Sequence, residues 1–496
     1  MRPLTPMLLF AALVFPLTVQ AVEPDVIKEV FDNGLTVLLV ERHQAPVVSA
    51  VVVFRVGAAN EPSGATGIAH LYEHMAFKGT RNIGTRDPER EARLIADIDT
   101  LRAERERRAA ANGATVETDL AALDGTIQRL EEEARDLVIP NEYAELYQRQ
   151  GGVGINATTS PDVTSYYVSL PANRLPFWAH LETERMSDPV LREFYAERDV
   201  VLEERRMRVD TSPQGQMYEA LIATAFMAQP YGNPTIGWPS DLERLTRPQT
   251  REFFKSHYTP ENTVITLVGD LDPDATLALM AETFGRLPRA QTAPPPHTRE
   301  PHINGSRRVE VMVDAEPSLV IGFLKPGIHH PDDVVLDLLQ QVLTGGTPSR
   351  LYRRLVLEDG IATGVYANNG TPGVRMDNLF TIAASPRHPH TTDQVEAAIL
   401  EELNRLVTEP VTPRELERAA NQVEAANLRA MTSNMGLART LTYFEAVADD
   451  WRYPFRLAEQ IRELTPERVT EVAKRYFGPD HRTTSVLVPA TPEVAP

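Results

Sequence analysis

The stretch GIAHLYEHMAFKGT, residues 67–80, places two histidines and a glutamate within five positions: His70, Glu73 and His74. On a helix that turns by about 100° per residue, these three side chains share one face. The opposite face is apolar and consists of Ile68, Leu71, Tyr72 and Met75. Because an amphipathic helix packs its apolar stripe on the core, the stretch predicts a helix that presents two imidazoles and a carboxylate on its other side.

The spacing of the polar stripe is typical of a metal site. His70 and His74 lie about one helical turn apart, so both rings can reach one ion. Neutral imidazole binds zinc well, and a catalytic zinc site has three protein ligands and one open position. Glu73 is placed to take a proton from water and to pass it to a leaving amine. The order His-x-x-Glu-His inverts the commoner zinc-peptidase motif. The alternative is a solvated helix face with incidental histidines.

A third ligand has to come from another segment, and EFYAERDVVLEERRMRVD at 193–210 is rich in carboxylates. Glu197 and Glu204 are seven residues apart and therefore lie on one helical stripe, whereas Glu203 points away from it. Judged by spacing alone, a salt-bridged surface helix is the better interpretation of this segment.

Length, charge and cysteine content restrict the class of protein. A chain of 496 residues predicts two or more domains, and a net charge of −19 argues against nucleic-acid binding. The chain has no cysteine, which excludes disulfides and a lipid-anchored N-terminal cysteine. No apolar run is long enough to span a bilayer.

The first residues predict export. Arg2 is followed by an apolar run at 7–15 and by the small-residue site Val-Gln-Ala at 19–21. This pattern predicts a signal peptide over residues 1–21, cut after Ala21, and hence a periplasmic or secreted protein. The alternative is a buried N-terminal helix.

The segments around the motif predict strands and helices. VFDNGLTVLLV at 30–40 contains Asn33-Gly34 between apolar runs, which predicts a tight hairpin. A buried strand is predicted in 46–57, two strands in 151–170, and helices near 172–186 and 191–209. Residues 86–139 predict a helical hairpin that packs along a seam of leucines and isoleucines.

Two halves of the chain look alike. LTRPQTREFFKSHYTPENTVITLVGD, which begins at Leu245, resembles LTPERVTEVAKRYFGPDHRTTSVLVPA, which begins at Leu464. More loosely, FKGT at 77–80 matches LTGGT at 343–347. These matches predict one duplicated unit whose first copy carries the helical hairpin as an insertion.

The duplication predicts the domain boundaries. They are a first domain at 26–288 with its insertion at about 86–139, a proline-rich linker at 289–305, and a homologous second domain at 306–490.

With these segments in place, the chain resembles the pitrilysin/insulinase family of inverted zinc metallopeptidases, and within it the processing-peptidase-like branch. The opening stretch carries most of the likeness, together with ERDVVLEE at 197–204, GGVGINATTSPDVTSYY at 151–167 and PYGNPTIGWPSDLERLT at 230–246. The resemblance implies an α+β fold of two homologous domains, each a mostly antiparallel sheet packed with helices, as in the mitochondrial processing peptidase.

The resemblance also assigns roles by position. His70, His74 and Glu204 would bind one zinc ion per chain, and Glu73 would be the general base. Glu197 would be a carboxylate behind the ligands that orients and tunes the site.

The resemblance further implies a peptide substrate that adds as a strand to a sheet edge containing Asn156 and Ala157, inside a chamber. Self-sufficient family members hold the substrate carbonyl with an arginine and a tyrosine seven residues apart. Here these positions are Val356 and Thr363, which cannot stabilise charge in that way. We therefore expect a homologous partner without the zinc motif to supply the pair in a heterodimer. A homodimer is the alternative.

Two other functions remain open from the sequence. A non-catalytic scaffold that keeps the fold is favoured by the missing arginine and tyrosine, and it is disfavoured by the complete set His70, Glu73, His74 and Glu204. A zinc hydrolase that acts on a bond other than the peptide bond is the second alternative.

Overall fold

In the computed structural model, the structure describes residues 23–110, 116–301 and 305–489. The predicted signal peptide with its cleavage site at Ala21 lies outside the described residues, and so does the predicted break at 111–114 between the two helices of the hairpin.

Six strands form the first sheet. They are β1 (Ile27–Val30), β2 (Thr36–Glu41), β3 (Val47–Phe54), β4 (Val153–Thr159), β5 (Thr164–Pro171) and β6 (Thr263–Gly269). Their order is β1-β2-β6-β3-β5-β4, in which only β2 and β6 are parallel neighbours. The predicted hairpin at Asn33-Gly34 is confirmed by the antiparallel pairing of β1 with β2. In its turn, Gly34 has a φ of 89°, a left-handed conformation that glycine adopts readily. The two strands predicted in 151–170 are β4 and β5.

Ten α-helices belong to the first half of the described chain. They are α1 (Ile68–Met75), α2 (Pro88–Ala110), α3 (Val116–Leu137), α4 (Glu142–Arg149), α5 (Leu175–Ser187), α6 (Phe194–Arg205), α7 (Pro213–Ala225), α8 (Pro239–Leu242), α9 (Arg247–His257) and α10 (Pro273–Glu282). The predicted helical hairpin is α2 and α3, which pack on one another. Their buried seam includes Leu94, Ile98, Ile127 and Leu137.

The second half repeats the first. Its strands are β7 (Arg307–Val313), β8 (Ser318–Lys325), β9 (Ala362–Thr371), β10 (Asn378–Pro386) and β11 (Arg482–Pro489). Its helices are α11 (Asp332–Thr344), α12 (Arg350–Tyr352), α13 (Thr392–Thr408), α14 (Pro413–Ala430), α15 (Asn434–Ala448), α16 (Tyr453–Arg462) and α17 (Pro466–Tyr476). The strand order β7-β11-β8-β10-β9 reproduces β2-β6-β3-β5-β4, including the single parallel pair. The fold is therefore the expected α+β duplication with a helical hairpin inserted in its first copy.

The two halves exchange helices. One face of the first sheet packs on helices of its own half, but its other face is covered at β3 and β6 by α15 from the second half. Conversely, α7 from the first half covers β7, β8 and β11 of the second sheet. Each sheet is thus buried on one side by the other half, so the two halves pack into one body.

The segment between the halves is held in place. Residues 288–301 contain no helix or strand. The Glu300 carboxylate nevertheless accepts hydrogen bonds from the backbone N–H groups of Met227 and Ala228, at 2.6 and 3.1 Å. The domain boundaries at 26–288 and 306–490 stay predictions. Within the described part of the chain, no helix is both long and apolar enough to cross a membrane.

Candidate active site

The fold buries the apolar face of α1 and leaves its polar stripe beside α6. Ile68, Leu71, Tyr72 and Met75 are all at most 1 % exposed. At the start of the helix, the buried carboxylate of Glu61 accepts hydrogen bonds from the N–H groups of Gly67 and Ala69, at 2.7 and 2.8 Å. Burial raises the pKa of Glu61 to about 8. Sequence reasoning missed Glu61, because no helical spacing connects it to α1.

Three side chains from α1 and α6 converge on one point. The Glu204 Oε2 atom lies 3.3 Å from His74 Nε2 and 3.6 Å from His70 Nε2. One ligand atom of each residue lies within 4.8 Å of the others. Around a tetrahedral zinc ion with bonds of about 2.0–2.2 Å, ligand atoms are separated by roughly 3.3–3.6 Å. Both distances from Glu204 Oε2 to the imidazole nitrogens fall in this range, so the three side chains are close enough to hold one ion.

The donor atoms are also those that a metal would use. Glu204 Oε2 is buried and accepts no hydrogen bond, although buried polar atoms in proteins are normally paired. The other oxygen, Oε1, is paired with the Arg208 guanidinium at 2.7 Å. An unpaired carboxylate oxygen that faces two imidazole nitrogens fits a divalent cation. Among the described residues, no second group of three such side chains has this spacing.

His70 is set up as a neutral imidazole. Burial lowers its pKa to about 3, helped by the neighbouring charges of His74 and Arg208. Metal binding requires the unprotonated ring nitrogen, so the protein environment favours the form of His70 that could bind a metal.

Glu197 lies behind His74. Its Oε1 atom is 3.0 Å from His74 Nδ1, and its Oε2 atom is 2.6 Å from Lys78 Nζ. Burial alone would raise the pKa of Glu197, but the hydrogen bonds from His74 and Lys78 lower it to about 2. Burial acts to lower the pKa of His74, and the nearby carboxylates, Glu197 first, raise it overall. A carboxylate on Nδ1 directs Nε2 toward the convergence point.

Glu73 connects α1 to the edge strand of the sheet. Its Oε2 atom accepts a hydrogen bond from Thr159 Oγ1 on β4 at 2.5 Å, and burial raises its pKa. On the same strand, the Asn156 Oδ1 atom accepts a hydrogen bond from the N–H group of Ala157 at 2.9 Å. Glu73, His74, Asn156 and Glu197 line one cavity of about 470 Å³. The structure thus brings the metal-site candidates close to the edge strand in which Asn156 and Ala157 lie.

The second half has the same helix without the same side chains. The offset that relates Thr80 to Thr347 places Asp337, Gln340 and Gln341 of α11 at the positions of the two histidines and the glutamate. This helix therefore lacks the histidine pair.

Val356 and Thr363, the positions where the resemblance would place an arginine and a tyrosine, contact residues of their own half. Val356 is half-buried against the hydrophobic core of the second half. Thr363 is exposed on β9, and its Oγ1 atom donates to the Ser385 carbonyl at 3.2 Å. The nearby Arg354 pairs with Glu401 of α13 at 2.5 Å.

Models of one protein family match both halves. The model described as Insulinase (Peptidase family M16) matches residues 36–107 and 139–238, so the whole of α3 and the last residues of α2 fall between its two matched segments. The model described as Peptidase M16 inactive domain matches residues 244–423. The insertion thus interrupts the half that carries His70 and His74.

Relatives and solved structures agree with this match. The zinc protease PqqE of Helicobacter pylori is 26% identical over 464 residues, which span 92% of this chain and 91% of that protein. The crystal structure of a protease from Helicobacter pylori superimposes with a TM-score of 0.77 at 25% identity, over 94% of this chain and 100% of that chain. The M16 inactive domain from Pseudomonas fluorescens has the same fold, with a TM-score of 0.73 at 18% identity over 94% and 98% of the two chains. The chain belongs to the insulinase family, peptidase family M16, whose relatives include proteins named zinc proteases.

Proposed function

We propose that this protein is a zinc-dependent endopeptidase that cleaves extended or unfolded peptides. The observation that carries the proposal is the convergence of His70, His74 and Glu204 on one point, with Glu73 beside it. A zinc ion at that point would supply a Lewis acid that lowers the pKa of water toward neutrality.

Each residue of the site then has one task. His70, His74 and Glu204 would hold the ion, and Glu197 would keep the His74 ring in the binding tautomer through Nδ1. Glu73 accepts the proton of the attacking water and delivers it to the leaving amine. The hydrogen bond from Thr159 fixes the Glu73 carboxylate while it does so.

The substrate lies along β4. This strand is at the edge of the first sheet, so its outward backbone groups can pair with a peptide in an extended conformation. Asn156 and Ala157 are the positions where the peptide would cross in front of Glu73. Backbone pairing depends little on side chains, which fits a peptidase of broad sequence preference.

We further propose an exported protein that works with a homologous subunit in a chamber. Export is supported by the apolar run at 7–15 followed by Val-Gln-Ala at 19–21. The partner is supported by Val356 and Thr363, since neither can hold a developing negative charge. In this assembly the first domain, 26–288, supplies zinc and base, and the partner supplies an arginine and a tyrosine. A homodimer is the second possibility.

The absence of an arginine and a tyrosine at Val356 and Thr363 favours a second candidate function, a non-catalytic scaffold that keeps the peptidase fold. The two proposals differ in one measurement. Glu73→Gln should retain zinc, since Glu73 is not a ligand, and should lose nearly all turnover of a quenched peptide, because an amide cannot accept the proton. Glu203→Gln is the matched control, because Glu203 is exposed on α6 and pairs with Arg206. Equal turnover of wild type and Glu73→Gln would refute the assigned base, and absence of zinc from the wild type would favour the scaffold.

The partner is tested separately. We expect the purified single chain to hydrolyse the peptide slowly and to gain activity when a homologous chain that carries the arginine and tyrosine is added. Full zinc-dependent turnover by a demonstrated monomer or homodimer would refute the requirement for a heterologous partner.

A further inference from the structure

The inserted hairpin is attached to the site through one buried arginine. Arg192 lies in the loop just before α6 and is 2 % exposed. Its Nε and Nη2 atoms donate to the two carboxylate oxygens of Glu91, in the first turn of α2, at 2.5 and 2.8 Å. Glu91 is also 2 % exposed. A bidentate pair that is buried on both sides fixes its two elements relative to one another.

The remaining donors of Arg192 bind the loop that follows α1. Nη2 donates to the Thr80 carbonyl at 3.0 Å, and Nη1 donates to the carbonyls of Ile83, at 3.1 Å, and Lys78. All five N–H groups of the guanidinium are therefore in use. The loop approaches so closely that a Cβ atom on Gly84 would lie 2.7 Å from Nη1. One side chain thus joins the end of α1, the start of α2 and the start of α6.

The backbone at this junction is strained. Leu191 and Glu193, the two neighbours of Arg192, both have a φ of 55°, a left-handed conformation that side-chain-bearing residues rarely adopt. Such residues persist only where the surroundings over-determine them, and they concentrate at functional sites. Arg192 and its contacts supply that constraint immediately before the helix that carries Glu197 and Glu204.

We propose that Arg192 is a positioning residue of the metal site, and that through it the inserted hairpin sets the spacing between α1 and α6. This inference rests on the proposed function, because it concerns the same site. The ligands come from these two helices, and their spacing decides whether His70, His74 and Glu204 reach one ion. The inserted hairpin then stabilises the relative position of the two helices that form the metal site.

The second domain offers a matched control. Arg350 pairs with both oxygens of Glu415, at 2.8 and 3.0 Å, and donates to the carbonyls of Glu409 and Pro410. This arginine has the same chemistry as Arg192 and no contact with α1 or α6. Replacing either arginine by lysine removes the planar fork and leaves carbonyls without donors.

The experiment compares Arg192→Lys, Glu91→Gln and Arg350→Lys in the full chain. For each we would measure the melting temperature without metal, the zinc Kd by competition with a chelator, and the visible spectrum of the cobalt-loaded protein. We expect all three changes to lower the melting temperature. Only Arg192→Lys and Glu91→Gln should also raise the zinc Kd and alter the cobalt spectrum. We expect the Kd to rise about tenfold or more, the effect that loss of a residue supporting metal ligands typically has.

The outcomes separate the inference from the proposed function. If the wild type binds zinc and Glu91→Gln binds it within twofold of the wild type, the positioning role is refuted while the peptidase proposal stands. An equal rise of the zinc Kd in Arg350→Lys would also refute it, since the effect would then be general destabilisation. Should Arg192→Lys fail to fold, Glu91→Gln decides. A wild type without measurable zinc affinity would refute the proposed function itself.

Discussion

Replacing Leu441 with alanine should destabilise both halves of the protein at once. Leu441 lies on α15 in the second half and is fully buried. It belongs to a cluster with Val51 and Val53 of β3 and Val264 of β6, all in the first half. If this packing joins the halves into one cooperative unit, the free energy lost at Leu441 is lost by the whole chain.

The size of the effect depends on the size of the unit. A buried Leu→Ala change costs about 3–5 kcal/mol. The entropy of unfolding is about 2.1 cal/mol/K per residue, hence about 1 kcal/mol/K for a unit of about 470 residues. The melting temperature should then fall by about 3–5 °C. If the halves unfolded independently, a unit of half that length would shift by about 6–10 °C and the other half would not shift.

Calorimetry of the metal-free protein distinguishes the two cases. We expect one transition in the wild type, and the same small shift in Leu441→Ala and in Leu336→Ala. The latter is the matched control, because Leu336 is fully buried in the core of the second half. Two transitions in the wild type, with Leu336→Ala moving only one of them, would refute the single body. The packing of α7 and α15 on the sheets of the opposite halves would then not couple the unfolding of the two halves.

Three further predictions concern single side chains. Glu197→Gln should raise the zinc Kd by about 10–100-fold, because His74 loses a charged partner; an unchanged Kd in chelator competition would contradict this. Thr159→Val should lower kcat by about tenfold through loss of the hydrogen bond to Glu73, while zinc content, measured in the same samples, stays constant. Burial, followed by the charge of Asp333, raises the pKa of Asp337 from 3.8 to about 7. Between these pH values the folded protein keeps a proton on Asp337 that the unfolded chain releases, so the free energy of unfolding should fall as the pH rises. Asp337→Asn should reduce this fall, measured as the difference between urea midpoints at about pH 5 and 7, and an equal fall in both proteins would exclude Asp337 as the cause.

The position of the histidine pair on one face of α1 could be predicted because its evidence is local. Helical periodicity placed His70 and His74 on one face and the apolar residues on the other, and the structure has that helix at Ile68–Met75. The position of Glu204 near the histidines was harder to predict, since a salt-bridged surface helix would give the same stripe of carboxylates. Only the resemblance selected it, and only the fold brings it to 3.3 Å from His74.

The contacts between the elements around the site have no comparable pattern in the sequence. Arg192 and Glu91 are 101 residues apart, and each lies in a stretch where arginine and glutamate are frequent, so nothing in the sequence distinguishes this pair. The exchange of α7 and α15 was also missed. Each half of the sequence carries enough apolar residues to predict a core of its own, and periodicity within a helix does not reveal which sheet it covers.

The duplication allows the two edge strands to be compared as places for a peptide. In the second half, the outward N–H groups of Ala367 and Asn369 on β9 already donate to Thr344 Oγ1 and Gln340 Oε1 of α11, at 3.0 and 2.8 Å. Gln340 occupies the position that Glu73 has in α1, so the helix that could have offered a base seals its own strand instead.

On β4 the N–H group of Ala157 donates to the side chain of Asn156, which can rotate away when a peptide carbonyl arrives. A strand whose donors are taken by a packed helix gains little from adding a peptide, because each new hydrogen bond replaces an existing one. We therefore expect peptides to add to β4 and not to β9. Under the proposed function, the open edge then lies in the half that carries the histidine pair, within reach of Glu73.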